Sequence, residues 1–222
     1  MNACVLIPAY NEAHRIAEVV ARSLAACPHV LVVDDGSSDG TAALAEREGA
    51  VVIRHGRNQG KGQALRTGFA AAWERGFDAA ITLDADGQHE PEDIPRFVAE
   101  AASDPRIGIV LGCRMSGTLG MPFVRLYTNR LTSAVVSAFA GQRIADSQCG
   151  FRLIRREVLQ SVRLRTSRFD TESELLIEAG RKGWRIAEVP IRTIYGSERS
   201  KINALFDTLR FLRLTARYLL RI

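Results

Sequence analysis

Apolar and polar positions alternate in blocks through the first 90 residues of the chain. Four short apolar runs are typical of strands, and they cover residues 4–7, 30–33, 50–53 and 79–83. The first run is closed by Pro8 and is of the continuous kind that is buried on both faces of a sheet. Between the runs, stretches over 16–24, 40–48 and 60–76 are helical in pattern. Strands that alternate with helices in this way predict a parallel α/β sheet with crossover helices.

Polar and glycine residues between these blocks predict the helix boundaries. Asn11 is the expected N-cap of the first helix, and Ser38 or Asp39 is that of the second. Gly49 is placed to end the second helix, and Gly60-Lys61-Gly62 opens the third.

The pattern of alternating elements continues after residue 90. It predicts helices over about 91–102, 123–140 and 171–182 and strands over 107–111, 151–154 and 184–190. No linker or repeat interrupts the pattern.

Two aspartates and a glutamine follow the fourth strand at alternate positions. Asp84 would lie at the carboxyl end of that strand, with Asp86 and Gln88 in the loop. Alternate residues of extended backbone project the same way, so the three side chains can converge. Three oxygen donors suit Mg²⁺ or Mn²⁺ better than zinc. An aspartate-rich turn before a helix that begins at Pro91-Glu92-Asp93 is the alternative, and spacing alone leaves both open.

Polar residues also follow the first two strands. They are Pro8 to Glu12 and Asp34-Asp35. In parallel sheets, ligands bind beyond the carboxyl ends of the strands, so these segments and Asp84 to Gln88 are expected to share one cleft. That expectation favours a nucleotide and metal site over three unrelated turns.

Composition adds limits to this picture. The chain has 222 residues, of which 46% are hydrophobic and 25% are charged, as expected for a single globular domain over residues 1–222. Its net charge of +5 is compatible with binding to phosphates or an anionic membrane but too small to indicate nucleic acid. The four cysteines lack metal-ligand or redox spacing, as in reduced cytoplasmic proteins. Neither a signal peptide nor an apolar span of ~18 residues is visible, so we expect a cytoplasmic protein that is soluble or peripheral on the inner face of a membrane.

Six groups of residues occur in the order in which they occur in the family-2 inverting glycosyltransferases. They are residues 7–12, 34–41, 84–89 and 112–114, Phe151-Arg152-Leu153 with Arg156-Glu157-Val158-Leu159, and Glu188-Val189-Pro190. Any one group is weak evidence, whereas the ordered set is specific and spans nearly the whole chain. The chain therefore resembles this family, and within it the dolichyl-phosphate mannose synthases and the bacterial polyprenyl-phosphate glycosyltransferases.

The resemblance implies a glycosyltransferase A-type fold, which is a Rossmann-like, mostly parallel sheet flanked by helices. It also implies a nucleotide-sugar donor and a divalent metal ion, Mg²⁺ or Mn²⁺, held by Asp84, Asp86 and Gln88, with Asp86 catalytic. The residues implied in binding the donor are Pro8, Tyr10, Glu12, Val32, Asp34, Asp84, Ala85, Asp86, Arg114 and Lys201. An aromatic face and acidic groups at strand ends suit a nucleoside, and a packed aromatic residue is the alternative for Tyr10.

A basic loop near the end of the catalytic domain is a further family feature, and its cations assist catalysis. Lys201 matches the lysine of that loop. The mannose synthases place an arginine just before the tyrosine-glycine pair, but here Arg199 lies inside the loop and Arg192 lies before it. We assign the catalytic role to Arg199 and Lys201, with Arg192 as the alternative to Arg199 and a solvated basic turn as the alternative to both.

The acceptor is predicted from the remaining arginines and from one aspartate. Guanidinium groups bind phosphate oxygens bidentately, so Arg125, Arg130 and Arg152 are candidates for an acceptor phosphate, each with a structural salt bridge as the alternative. A lipid phosphate is already anionic and makes a general base optional. For a hydroxyl acceptor, Asp146 would be the catalytic base, since it aligns with an aspartate of the family's acceptor-side loop.

The C-terminal residues predict an amphipathic helix over about 203–222. Its arginines recur at three- and four-residue steps, at Arg210, Arg213, Arg217 and Arg221. Such a helix would lie in a membrane interface against anionic lipid or pack on the domain with a solvated arginine stripe, and the pattern leaves both open.

The function expected from these observations is metal-dependent, inverting transfer of a hexose. The donor would be of the GDP-mannose or UDP-glucose type, and the acceptor a polyprenyl or dolichyl phosphate at the membrane surface. The alternatives are transfer to a saccharide or other hydroxyl, a nucleotidyltransferase, and an inactive binding protein. A nucleotidyltransferase would more naturally have a glycine-rich loop at residues 8–12. No nucleic-acid partner is expected, and a homo-oligomer is left open.

Overall fold

The computed structural model describes residues 1–115, 123–166 and 170–192, and also residues 213, 215, 216, 218 and 219. The strands in these ranges are β1 (Ala3–Ala9), β2 (Val30–Asp34), β3 (Val51–Arg54), β4 (Ala79–Thr82), β5 (Ile107–Cys113), β6 (Arg152–Arg155) and β7 (Arg185–Pro190). The helices are α1 (Ile16–Ala26), α2 (Thr41–Arg47), α3 (Lys61–Glu74), α4 (Ile94–Ser103), α5 (Phe123–Ala140), α6 (Arg156–Ser161) and α7 (Asp170–Arg181). A 3₁₀ turn, Pro91–Asp93, precedes α4.

The strands form one sheet in the order β3-β2-β1-β4-β6-β5-β7. Neighbouring strands are parallel except at β6, which is antiparallel to both β4 and β5. The prediction of a mostly parallel α/β sheet flanked by helices is therefore confirmed. Because β6 runs the opposite way, its first residue, Arg152, lies opposite Thr82 at the carboxyl end of β4. The loop before β6 thus reaches the same edge of the sheet as the loops after β1, β2 and β4.

Helices cover both faces of the sheet, and β1 contributes to the core on each side. Val5 and Ile7 belong to the core that includes α1 and α4, whereas Cys4 and Leu6 belong to the core that includes α3. All four side chains are 0% exposed, as predicted for a strand buried on both faces. Gly68 of α3 lies against Leu6, where a Cβ would collide with the leucine side chain. The missing side chain lets α3 approach the centre of the sheet closely.

The prediction that Asn11 caps the first helix is wrong, because α1 begins only at Ile16. Asn11 has a φ of 53°, a left-handed conformation that asparagine tolerates better than most residues. Its Oδ1 accepts the N–H of Ser38 at 2.9 Å, so the side chain joins two loops instead of capping a helix. The prediction that Ser38 or Asp39 caps the second helix is also wrong, because the N-cap of α2 is Gly40 in a left-handed conformation. Asp39 lies one residue before the cap, where its Oδ1 accepts the N–H of Thr41 at 3.1 Å.

The predicted helix over about 203–222 lies outside the described residues except at the five positions named above, all of which are helical. At Tyr218, the ring lies 5.6 Å from that of Phe139 and under the guanidinium of Arg181. Its hydroxyl donates to Glu178 Oε1 at 2.8 Å. At this position the chain packs on α5 and α7, which agrees with the alternative in which the C-terminal helix packs on the domain. Within the described part of the chain, no helix is long and apolar enough to cross a membrane.

Candidate active site

Three loops follow β1, β2 and β4, which are neighbours in the sheet. Two of these loops are joined by hydrogen bonds. The N–H of Asn11 donates to Ser37 Oγ at 2.9 Å, and that of Glu12 donates to Thr41 Oγ1 at 2.8 Å. The adjacency of the strand ends is what the predicted shared cleft requires.

The residues predicted to bind the nucleotide differ widely in exposure. Tyr10 is 41% exposed and Pro8 is half-buried, so both are accessible to solvent. Glu12, in the loop after β1, is 8% exposed, and Asp34, the last residue of β2, is 5% exposed. The prediction that Val32 binds the nucleotide is not supported, because its side chain is 0% exposed in the core and two residues before the end of β2.

Asp84 is the centre of a cluster of charges just after β4. Its Oδ1 lies 2.7 Å from Lys61 Nζ, and its Oδ2 lies 4.0 Å from His89 Nε2. Burial alone would raise the pKa of Asp84, but the positive charges of Lys61, His89 and Arg152 outweigh it and lower the pKa to about 2. Asp84 is therefore ionised at neutral pH.

Lys61 is a residue of the site that the sequence patterns did not single out. Its Nζ lies between Asp84 and Glu172, 3.5 Å from Glu172 Oε1. Burial would lower the pKa of Lys61, but these two carboxylates outweigh it and raise the pKa, so the side chain is charged. A lysine at the first position of a helix is unfavourable for the helix dipole. That mismatch in Gly60-Lys61-Gly62 is a signal that the lysine has another partner.

The loop that leads to Lys61 is held by Asp35, the second residue of the Asp34-Asp35 pair. Asp35 Oδ1 accepts the N–H of Gln59 at 2.9 Å, and Oδ2 accepts the N–H of Gly60 at 2.7 Å. His55 Nδ1 lies 2.7 Å from Asp35 Oδ1, and both side chains are buried. Asp35 therefore fixes the start of α3, and with it the position of Lys61.

Asp86 and Gln88, the other two predicted metal ligands, lie in a tight turn after Asp84. The N–H of Gln88 donates to Asp86 Oδ1 at 3.0 Å, and Gly87 between them has a φ of 72°. Both side chains are half-buried. Ala85 is 4% exposed with its side chain in the core, which leaves its backbone for the predicted nucleotide contact.

The chemistry of this donor set fits a hard divalent cation. The described residues contain no group of three or more His, Cys, Asp or Glu that could hold a metal by themselves. The predicted ligands are instead two carboxylates, of which Asp84 is ionised, and one amide oxygen. Mg²⁺ is commonly held by one or two carboxylates while substrate phosphates complete its coordination. Such a set would hold Mg²⁺ or Mn²⁺ together with a diphosphate.

The loop before the antiparallel strand β6 lies directly against Asp84. Thr82 Oγ1 donates to the carbonyl of Gly150 at 2.8 Å. A Cβ on Gly150 would collide with the Asp84 carboxylate, so only glycine permits this approach.

Asp146, earlier in this loop, forms a buried ion pair with Arg114, which follows β5. Asp146 is 0% exposed and accepts from Arg114 Nε at 2.7 Å, Nη2 at 2.8 Å and the backbone N–H at 3.1 Å. Glu188 Oε1 accepts the N–H groups of Ala145 and Asp146, at 2.8 and 3.2 Å. With both oxygens bonded to a guanidinium and no exposed surface, Asp146 does not have the geometry of the predicted general base. It positions Arg114 instead.

Arg152 is also committed to internal contacts. It is 2% exposed and donates to the carbonyls of Cys149 at 2.6 Å, Ser147 at 2.9 Å and Glu172 at 3.0 Å. This geometry does not support the prediction that Arg152 binds the acceptor phosphate. The burial of the guanidinium among carbonyl oxygens makes it a support for the loop and for the start of α7.

The remaining predicted cations are only partly within the described chain. Arg130 is exposed on α5, and Arg192 is exposed just after β7. The side chain of Arg125 lies outside the described residues, as do Arg199 and Lys201. Their roles stay predictions.

Comparison with known proteins identifies relatives of this chain. The chain is 35% identical to the UDP-N-acetylglucosamine–dolichyl-phosphate N-acetylglucosaminyltransferase of Methanococcus voltae, over 86% of this chain and 85% of that protein. It is 34% identical to the polyprenol monophosphomannose synthase of Mycolicibacterium smegmatis, over 84% of this chain and 75% of that protein.

The fold has counterparts among solved structures. Glucosyl-3-phosphoglycerate synthase from Mycobacterium tuberculosis, in complex with Mn²⁺, UDP-glucose and phosphoglyceric acid, is similar with a TM-score of 0.75. In two complexes of that protein, the match covers 99% of this chain and 78–79% of that protein, at 22% sequence identity. Because the identity is this low, the match bears on the fold alone. The family model described as glycosyl transferase family 2 matches residues 4–163. Because that match covers most of the chain, the chain belongs to glycosyl transferase family 2 and is an inverting glycosyltransferase.

Proposed function

We propose that this glycosyltransferase transfers a hexose from a nucleotide sugar to a polyprenyl phosphate, with Mg²⁺ or Mn²⁺ on the donor diphosphate. Relatives named for dolichyl phosphate and for polyprenol monophosphomannose support the acceptor. The donor is of the GDP-mannose or UDP-glucose type. A lipid acceptor would bring the protein to the surface of a membrane.

The burial and ion pairing of Asp146 favour a phosphate acceptor over a hydroxyl acceptor. A hydroxyl must lose its proton during transfer and needs a general base within hydrogen-bonding reach. Asp146 was the candidate for that base, but it is buried and bonded through both oxygens to Arg114. A phosphate monoester is already anionic near neutral pH and needs no such base. The geometry therefore agrees better with a phosphate nucleophile.

The proposed reaction is a single displacement at the anomeric carbon. An acceptor phosphate oxygen forms the new bond to this carbon, and the bond from the carbon to the donor diphosphate oxygen breaks. The bonding electron pair leaves with the nucleoside diphosphate, and the anomeric configuration inverts. No proton transfer is required, so the task of the protein is to align the two phosphates and to stabilise the leaving charge.

Each group of residues has a proposed part in that task. Asp84, Asp86 and Gln88 would hold the cation, which supplies positive charge to the leaving diphosphate. Lys61 holds Asp84 in place through their ion pair. Arg199 and Lys201 are the proposed auxiliary cations.

Calorimetric titration tests the donor and the metal together. GDP-mannose, UDP-glucose and UDP-N-acetylglucosamine are titrated with and without Mn²⁺, and turnover with polyprenyl phosphate is then measured. We expect one donor to bind in a metal-dependent way and to give a sugar-lipid product. Donor binding without lipid product would indicate a hydroxyl acceptor, and no binding of any donor would contradict the proposal.

Replacing Asp86 tests the metal site directly. We expect Asp86→Ala to lower turnover by roughly a thousandfold or more, because the charge that stabilises the leaving diphosphate is lost. Thermal unfolding should remain cooperative, and Glu48→Ala, at an exposed carboxylate outside the site, should leave turnover unchanged. An active Asp86→Ala variant would remove this residue from the metal site.

A further inference from the structure

A cavity of about 270 Å³ lies between α3 and the helices α6 and α7, beside the candidate active site. Its walls are mostly apolar, and the apolar side chains in them include Leu65, Phe69 and Trp73 of α3, together with Leu159 and Leu175 from the helices opposite. The rings of Phe69 and Trp73 are stacked, with centroids 6.0 Å apart. Walls of this kind are suited to a hydrocarbon ligand.

One end of the cavity is polar and adjoins the charge cluster around Asp84. Thr82 and Glu172 line this end. The Glu172 carboxylate lies 3.5 Å from Lys61 Nζ, and Lys61 in turn lies 2.7 Å from Asp84. Glu172 and Lys61 therefore lie between the cavity and the site that is proposed to hold the donor diphosphate.

Arg66 also lines the cavity, and its guanidinium group is not fully hydrogen-bonded. Its Nη2 donates to the carbonyls of Leu164 and Thr166. Its Nε is buried and has no hydrogen-bond partner, and no carboxylate pairs with it in the part of the chain that the structure describes. A half-buried guanidinium with one buried, unbonded N–H favours an anionic ligand, because a buried donor is costly without a partner.

The side chains of α3 change in character in one direction along the helix. Lys61, outside the lining, is at the amino end, and the lining residue Arg66 follows within two turns. The lining residues Phe69 and Trp73 are farther along. This order of cationic and then aromatic side chains matches an amphipathic molecule with an anionic head and an apolar tail. An apolar cavity of about 150 Å³ is sufficient to bind benzene, so a volume of 270 Å³ accommodates roughly two five-carbon isoprene units.

We propose that this cavity binds the isoprene units nearest the phosphate of the polyprenyl phosphate acceptor. The phosphate then lies at the Arg66 end, on the side of the donor site, and the hydrocarbon lies against Phe69 and Trp73. This inference rests on the proposed acceptor, and it assigns to α3 a role in acceptor binding that the sequence patterns had given to Arg125, Arg130 and Arg152.

Trp73 provides a direct probe of occupancy. The chain has two tryptophans, so a Trp184→Phe background leaves Trp73 as the one reporter. Titration of this protein with farnesyl phosphate should give a saturable blue shift of its emission, whereas inorganic phosphate should give none. Arg66→Gln should weaken farnesyl phosphate binding by roughly tenfold and leave farnesol binding unchanged, because only the charged head contacts the guanidinium.

A cavity-filling variant tests the same site during catalysis. Ala70 is exposed and lines the cavity, so Ala70→Leu reduces the available volume without overpacking the core. We expect Ala70→Leu to raise KM for polyprenyl phosphate five- to tenfold with an unchanged dissociation constant for the donor. Ala102→Leu, at an exposed helical alanine on α4, is the matched control and should behave as wild type.

The outcomes separate this inference from the proposed function. If the wild-type enzyme forms sugar-lipid but Trp73 does not respond, or if Ala70→Leu and Ala102→Leu behave alike, the acceptor binds elsewhere and the inference is wrong. If Trp73 responds but no sugar-lipid forms, the cavity binds isoprenoid and the proposed function is wrong. Failure of both measurements rejects both.

Discussion

The ion pair between Arg114 and Asp146 makes a strong prediction about stability. Replacing Asp146 by leucine removes a carboxylate that accepts three N–H groups of Arg114. The guanidinium of Arg114, a residue that is 5% exposed, is then left without its counter-charge. The protein must then unfold more easily, or it must rearrange to hydrate Arg114.

The structure allows an estimate of the size of this effect. Removal of one partner of a buried ion pair costs about 3–5 kcal/mol, a large share of the ~5–15 kcal/mol by which native proteins are stable. At about 2–4 °C per kcal/mol for a chain of this length, the midpoint of thermal unfolding should fall by roughly 6–20 °C. Arg114→Met in the same protein removes the unpaired charge as well, so the double variant should recover much of the loss.

Thermal and urea unfolding of the wild type, the two single variants and the double variant complete a double-mutant cycle. We expect the double variant to be more stable than Asp146→Leu alone. Glu46→Leu is the matched control, because Glu46 pairs with Arg54 on the surface, and its midpoint should be close to that of the wild type.

Two results would refute this reasoning. A double variant whose loss equals the sum of the single losses would show that the two side chains do not stabilise each other. Asp146→Asn keeps an oxygen for Arg114 and should retain sugar-lipid synthesis within about tenfold, whereas loss of a general base costs about 10²–10⁴-fold. A loss in the second range would restore the general-base assignment and argue for a hydroxyl acceptor.

Three further predictions follow from other contacts. Gly150→Ala should lower turnover at least tenfold, because the new methyl group displaces the Asp84 carboxylate, whereas Gly56→Ala, which meets no atom within 4 Å, should be neutral in the same assay. Burial would raise the pKa of Asp39, but hydrogen bonds from the Thr41 hydroxyl and from backbone N–H groups outweigh it and lower the pKa. Because Asp39 is exposed and screened by solvent, Asp39→Ala should lower the stability measured by urea unfolding at pH 7 by less than about 1 kcal/mol. Because the native pKa lies below the unfolded value, this difference from wild type should be present above pH ~4 and disappear as the pH falls through the native pKa. Burial raises the pKa of the Cys149 thiol to about 12, so iodoacetamide at pH 8 should modify it in urea but not in the native protein, as mass spectrometry can show.

Most of the fold could be predicted because its apolar runs are short, continuous and well separated. Residues 4–7 are an example, since a run with no polar side chain can be accommodated only in a strand covered on both faces. The direction of β6 could not be predicted in the same way. The sequence of the four residues Arg152–Arg155 is compatible with either strand direction, and pairing with β4 and β5 decides between the two.

The candidate site was predictable only where it depends on strand ends. Asp84 follows an apolar run, so its place at the edge of the sheet follows from local pattern. Asp146 lies in the loop before the reversed strand β6, and Arg152 is the first residue of that strand. Both side chains are buried in internal contacts that the sequence pattern did not predict. Lys61 was missed because its carboxylate partners are distant in sequence, at Asp84 and Glu172.

The reversal of β6 explains why internal charges are concentrated at this edge of the sheet. A parallel strand at this position would place its carboxyl end, and the chain that follows it, at this edge of the sheet. The antiparallel strand instead places its amino end, and the loop that precedes it, at this edge. That loop must cross the ends of β4 and β5, and its carbonyl groups need donors there. Arg152 supplies several of them, and Gly150 allows the backbone to lie against Asp84. Residues that are fixed in this way cannot also move to meet a substrate, so the proposed contacts with the acceptor fall to side chains with bonding capacity to spare, such as Arg66.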